Sequence, residues 1–105
     1  MQHISARELK THIDNNQALI ILDVREPYEC QICKIEALHI PMADVNNRID
    51  EIPRDKMVVV LCRSGKRAVA VANILCTENG FKNLLVLEGG ILAWIEEVDN
   101  QLEAY

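Results

Sequence analysis

Cys62-Arg63-Ser64-Gly65-Lys66-Arg67 is the segment of this 105-residue sequence best equipped for chemistry. A cysteine becomes a strong nucleophile once its thiol is ionised, and neighbouring cations or a helix start favour the ionised form. Arg63, Lys66 and Arg67 place three cations within five residues, in a chain whose formal net charge is −5. Gly65 lets the backbone turn tightly with no side chain inside the turn. A helix that starts directly after the loop would add unpaired N–H groups and the positive end of its dipole. Strand-loop-helix junctions of this kind hold anions. The residues therefore point to Cys62 as a nucleophile, with Arg63, Ser64, Gly65, Lys66 and Arg67 binding an anionic substrate. The plainer reading makes Cys62 a small core residue at a strand end and the cations a solvated face. It does not explain the concentration of Arg, Gly, Lys and Arg directly behind the cysteine.

The elements around this loop are legible from pattern. Met57-Val58-Val59-Val60-Leu61-Cys62 is a β-branched run suited to the centre of a parallel sheet. Lys66 to Asn79 is rich in Ala, Val, Ile and Leu and predicts a well-buried helix, with Asn79-Gly80 as its stop. That placement makes Cys76 a core residue. Upstream, Ser5-Ala6-Arg7-Glu8 reads as a capping box opening a helix to about His12. Leu19 to Val24 predicts a buried strand, Glu26-Pro27 the start of a short helix, and Leu38 to Pro41 a shorter strand. Asp44 to about Ile49 predicts a helical turn. Leu84 to Leu87 is another strand, and Gly89-Gly90 turns the chain into a last helix, Ile91 to about Asn100, carrying Trp94 as a core residue. Strands alternating with helices predict an α/β fold with a parallel sheet, whose ligands sit beyond the carboxyl ends of the strands. The length suits a single domain, residues 1–105.

Composition removes several classes of function. Sixteen acidic against eleven basic residues make a poor general nucleic-acid binder, and one Trp, two Tyr and one Phe leave no stacking platform. No apolar run approaches a membrane span, and the N-terminal residues lack an apolar signal region, so the expected location is cytoplasmic. Cys30, Cys33, Cys62 and Cys76 are then expected as thiols, metal ligands or catalytic groups, not as structural disulfides. Cys30-Gln31-Ile32-Cys33 has redox or zinc spacing, yet it falls late in a short helix and no second such pair exists to complete a zinc site. No metal or other cofactor is expected. Asp23 and Arg25 end a buried strand and read as a charged pair or loop anchor, with Arg25 also within range of an anion.

In order along the chain, these pieces resemble the rhodanese-like domain in its small single-domain form. Leu22-Asp23-Val24-Arg25-Glu26 matches the family's L-D-V-R-E segment, and Ile35, Ala37, His39, Ile40 and Pro41 its I-x-G-A-x-x-I-P region. Cys62 to Arg67 matches the C-R-x-G-x-R loop, and Gly80-Phe81 with Leu87-Glu88-Gly89-Gly90 and Trp94 the closing pattern. Cys33 and Glu36 replace two usual glycines, and Ala68 stands where many relatives carry a hydroxyl. The resemblance implies a five-stranded, mostly parallel sheet flanked by helices. It implies a sulfurtransferase: Cys62 takes sulfane sulfur from thiosulfate or a related persulfide donor, becomes a persulfide, and passes the sulfur to a thiol, cyanide or a sulfur-carrier protein. Two alternatives stand beside it. A thiolate-based phosphatase or arsenate reductase would place Arg six positions after the cysteine, where this chain has Ala68 and sets Arg67 one residue early. The other is a non-catalytic rhodanese-like sulfur-carrier or docking module; degenerate docking relatives would be expected to lose the cysteine, which is kept here.

Overall fold

A computed structural model describes residues 1–105. Five strands form one parallel sheet: β1 (His3–Ile4), β2 (Leu19–Asp23), β3 (Leu38–His39), β4 (Met57–Leu61) and β5 (Leu84–Leu87), in the spatial order β1-β5-β4-β2-β3. Three helices connect strands, α1 (Ala6–Asp14), α2 (Pro27–Ile32) and α3 (Lys66–Asn79), and α4 (Gly90–Glu97) follows β5. Two short 3-10 turns, Met42–Asn47 and Ile49–Glu51, take the place of the single turn expected after Asp44.

The apolar run of β4 sits at the sheet centre because it can be buried on both faces. It pairs with β2 from Leu19↔Met57 to Asp23↔Leu61, and with β5 from Val58↔Leu84 to Val60↔Val86. Alternation sends Val58, Val60 and Cys62 to one face, where they pack with Ala68, Val71, Ala72 and Leu75 of α3. Val59 and Leu61 point to the other face, against Ala6 and Leu9 of α1 and Ile91, Trp94 and Ile95 of α4. Burying each such Val or Leu contributes roughly 1.5–3 kcal/mol. The parity also sets the chemistry, because Cys62 falls on the face from which α3 departs.

Several elements differ from the sequence expectation. The edge strand β1 has only two residues, too few to show a period. Cys76 is exposed, not core: the buried stripe of α3 runs through residues 68, 71, 72 and 75, and position 76 lies one step round the helix from it. α3 is thus buried along one side only, with Ile74 on its solvent side 37% exposed. α1 runs to Asp14, and α4 stops at Glu97 with Val98 as its C-cap. The expected capping box is present, Ser5 Oγ accepting from Glu8 N–H and the Glu8 carboxylate from Ser5 N–H, both at 3.1 Å.

Candidate active site

Cys62 follows β4 directly and is 1% exposed. Its Sγ accepts the N–H of Gly65 at 3.0 Å and the N–H of Ala68 at 3.4 Å. The sulfur is therefore seated in a bowl of loop and first-turn donors, the arrangement a sulfur anion requires. The bowl is held from behind by the start of α4. Ile91 N–H donates to the Cys62 carbonyl at 2.9 Å, and Leu92 N–H to the Arg63 carbonyl at 3.2 Å. Two helix-start donors of α4 are thereby satisfied by the carbonyls of Cys62 and Arg63, while the N–H groups of Gly65 and Ala68 face the sulfur.

Glycine is required at two points. Gly90 has φ +62°, and a Cβ there would lie 2.3 Å from the Arg63 carbonyl oxygen and 2.5 Å from that of Cys62. Gly65, at φ +110°, leads into α3, and a Cβ on it would have open room, with nothing nearer than 3.8 Å. Its requirement is therefore the backbone angle, not the space expected from the sequence.

The three loop cations are not equivalent. Arg67 donates through both terminal nitrogens to Glu29, at 2.7 and 2.8 Å, across 38 residues of chain. Glu29 is 2% exposed and also accepts from Glu26 N–H at 2.8 Å and from the Tyr105 hydroxyl at 2.9 Å. These donors, Arg67 foremost, hold its carboxyl at about 2, well below the usual 4.5. Arg63 donates to the main-chain carbonyl of Tyr105 and lies 5.1 Å from the centre of its ring. Lys66 is exposed and has no hydrogen-bonding or ionic partner in the fold. Three free cations around the sulfur, as the sequence suggested, become one.

Beneath this layer lies a second. Arg25 is fully buried and donates to both oxygens of Asp23, at 2.7 Å through Nη2 and 3.0 Å through Nε. It also donates to the Cys33 carbonyl and the Tyr105 hydroxyl, each at 3.0 Å. The expected charged pair is thus present, and every guanidinium nitrogen is committed to it or its surroundings, leaving none for an external anion. His39 Nε2–H donates to the Arg25 carbonyl at 2.7 Å. Cys30 approaches the Asp23 carboxylate at 3.6 Å, and burial, reinforced by that charge, pushes its thiol up to about 11. Cys30 is thereby a poor nucleophile near neutral pH, and Cys33 is buried at the end of α2.

Ser64, Gly65 and Lys66 line one side of an open groove of about 370 Å³, with His3, Glu88 and Gly89 opposite. Of the loop residues named from the sequence, Ser64, Gly65 and Lys66 line this groove, whereas Arg67 turns to Glu29 and Arg63 to Tyr105. Glu29 and Tyr105 were not legible as members of the site. Glu29 has the spacing of a capping residue three after Glu26, which conceals its pairing with Arg67, and nothing local marks Tyr105. A larger cavity, about 490 Å³, opens around Leu19 and Ile20 at the other end of β2 and is lined by no cysteine.

The geometry defines a class: a buried cysteine at the carboxyl edge of a parallel sheet, cradled by the loop that starts the next helix. Comparison with known proteins gives the family. The profile of the rhodanese-like domain matches residues 5–97, and the chain belongs to that family. It is 39% identical over 95 residues to YtwF of Bacillus subtilis, covering 90% of each chain. It is 34% identical over 95 residues to a sulfurtransferase of Allochromatium vinosum, covering 90% of this chain and 88% of that one. The crystal structure of a rhodanese-related protein from Thermoplasma volcanium superposes with a TM-score of 0.83 at 34% identity, covering 93% of this chain and 94% of its own. No helix is long and apolar enough to cross a membrane.

Proposed function

We propose that this chain is a sulfurtransferase whose Cys62 carries the transferred sulfur as a persulfide. The observation that supports it most is the pair of N–H donors, from Gly65 and Ala68, aimed at Cys62 Sγ. In the first step the Cys62 thiolate attacks the outer sulfur of thiosulfate. The new S–S bond forms as the old one breaks, and sulfite leaves with the electron pair. The persulfide's terminal sulfur then extends beyond Cys62 Sγ, and Lys66 is the loop cation left without a partner in the fold. In the second step a thiolate or cyanide attacks that sulfur and expels the Cys62 thiolate. Each step is a substitution at sulfur in which the leaving group takes the electron pair, and the covalent intermediate predicts ping-pong kinetics. Organic persulfides supply the same sulfane sulfur, and the open groove lined by Ser64, Gly65 and Lys66 borders the loop that a sulfur-carrier protein would approach.

A thiolate phosphatase needs an arginine free to grip a tetrahedral anion. Arg67 stands five residues after Cys62 and commits both terminal nitrogens to Glu29, which argues against that reading. A docking module has no need of donors aimed at a thiol. The deciding test is intact-protein mass after incubation with thiosulfate. One added sulfur atom that dithiothreitol or cyanide removes, and that Cys62→Ser never acquires, is the expected result. An unmodified native chain, or an adduct that survives Cys62→Ser, would overturn the assignment.

A further inference from the structure

Arg63 belongs to the catalytic loop, yet its guanidinium is taken up from a distant part of the sequence. The Tyr105 carbonyl accepts from it, and the Tyr105 ring stacks within 5.1 Å of it. Tyr105 is itself clamped: its hydroxyl donates to Glu29 at 2.9 Å and accepts from Arg25 at 3.0 Å. Its ring packs against the apolar cluster on the α1 and α4 face. Burial pushes the hydroxyl up to about 12, so it remains a donor throughout the neutral range. One end of this residue is anchored in the buried charge network, and the other covers the guanidinium of a loop cation.

We infer that Tyr105 is a specificity-determining residue, which withholds Arg63 from small dianionic donors such as thiosulfate and so favours uncharged organic persulfides. The inference rests on Cys62 as the reacting thiol. Arg67 is already neutralised by Glu29, so with Arg63 covered only Lys66 meets an incoming anion. A donor without charge gives up nothing by this arrangement, whereas a dianion loses its second cation. The main-chain oxygen of Tyr105 occupies the Arg63 donors that a dianion would use, so loosening Tyr105 restores a hydrogen-bonding partner for the donor.

The test compares Cys62 alkylation by iodoacetate and iodoacetamide, of nearly equal size but different charge, in native protein, Tyr105→Ala, Arg63→Gln and the double variant. The ratio of the two rates at low salt is expected to rise roughly three- to tenfold in Tyr105→Ala. It should not rise when Arg63→Gln is already present. Tyr105→Phe, which keeps the ring but loses the clamp, should give a smaller rise. The KM for thiosulfate should fall by a similar factor in Tyr105→Ala, with that for a neutral persulfide unchanged. An unchanged or lowered ratio in Tyr105→Ala, or a rise that persists without Arg63, would overturn the inference. The alkylation ratio needs only a reactive thiol. If it shifts as expected while thiosulfate adds no sulfur to any variant, the sulfur-transfer chemistry fails and the Tyr105–Arg63 coupling stands.

Discussion

Replacing Glu29 by Gln should remove a stabilisation that depends on pH in a defined direction. The carboxylate is 2% exposed and accepts four hydrogen bonds, two of them from Arg67. Its pKa lies near 2 in the folded chain against 4.5 when unpaired. At ~1.4 kcal/mol per unit, the difference amounts to about 3 kcal/mol, reduced to about 2–3 because Arg67 keeps contact with water. A carboxyl held below its unfolded value stabilises the fold fully at pH values above that unfolded value. Its contribution drains away as pH falls from about 5 towards 2. Gln keeps the shape but not the charge, and one of its terminal atoms is a donor facing donors. Urea unfolding of native and Glu29→Gln protein at pH 7, 4 and 3 measures the effect. The stability gap should be about 2–3 kcal/mol at pH 7 and should narrow to about half or less by pH 3. At neutral pH that gap corresponds to a melting temperature lower by roughly 10 °C or more. A gap that is absent at pH 7, or that stays constant down to pH 3, would refute the argument that this buried carboxylate is held ionised by Arg67.

Gly90→Ala should cost at least ~2 kcal/mol and slow persulfide formation, because φ +62° and a contact of 2.3 Å with the Arg63 carbonyl oppose any Cβ. Gly65→Ala has only the angle against it and should cost ~1–2 kcal/mol; thermal unfolding compares the two. Cys30, with its thiol near 11, should be alkylated far more slowly than exposed Cys76 at pH 7.5, and its rate should climb tenfold per pH unit up to about 11. Peptide mass mapping after brief iodoacetamide treatment at several pH values reads this directly.

Local sequence determines most of the scaffold and the identity of the reactive loop. A β-branched run long enough for a central strand, a glycine-bearing loop and a helix of Ala, Val and Leu can be read from neighbours alone. Each is a short-range preference that tertiary packing had no cause to override. The alternation of Val58, Val60 and Cys62 even determines which face the thiol takes, once a strand is assumed. Local patterns do not determine which charges meet. Arg67 finds Glu29 38 residues away, Arg63 finds Tyr105 42 residues away, and the carbonyls of Cys62 and Arg63 find α4. A cluster of cations in sequence suggests a positive site, but each cation's effective charge depends on partners delivered by other elements. Only the folded arrangement decides that Lys66 alone remains free to meet an anion, because ion pairing acts through space and a charge's sequence neighbours do not reveal its partner.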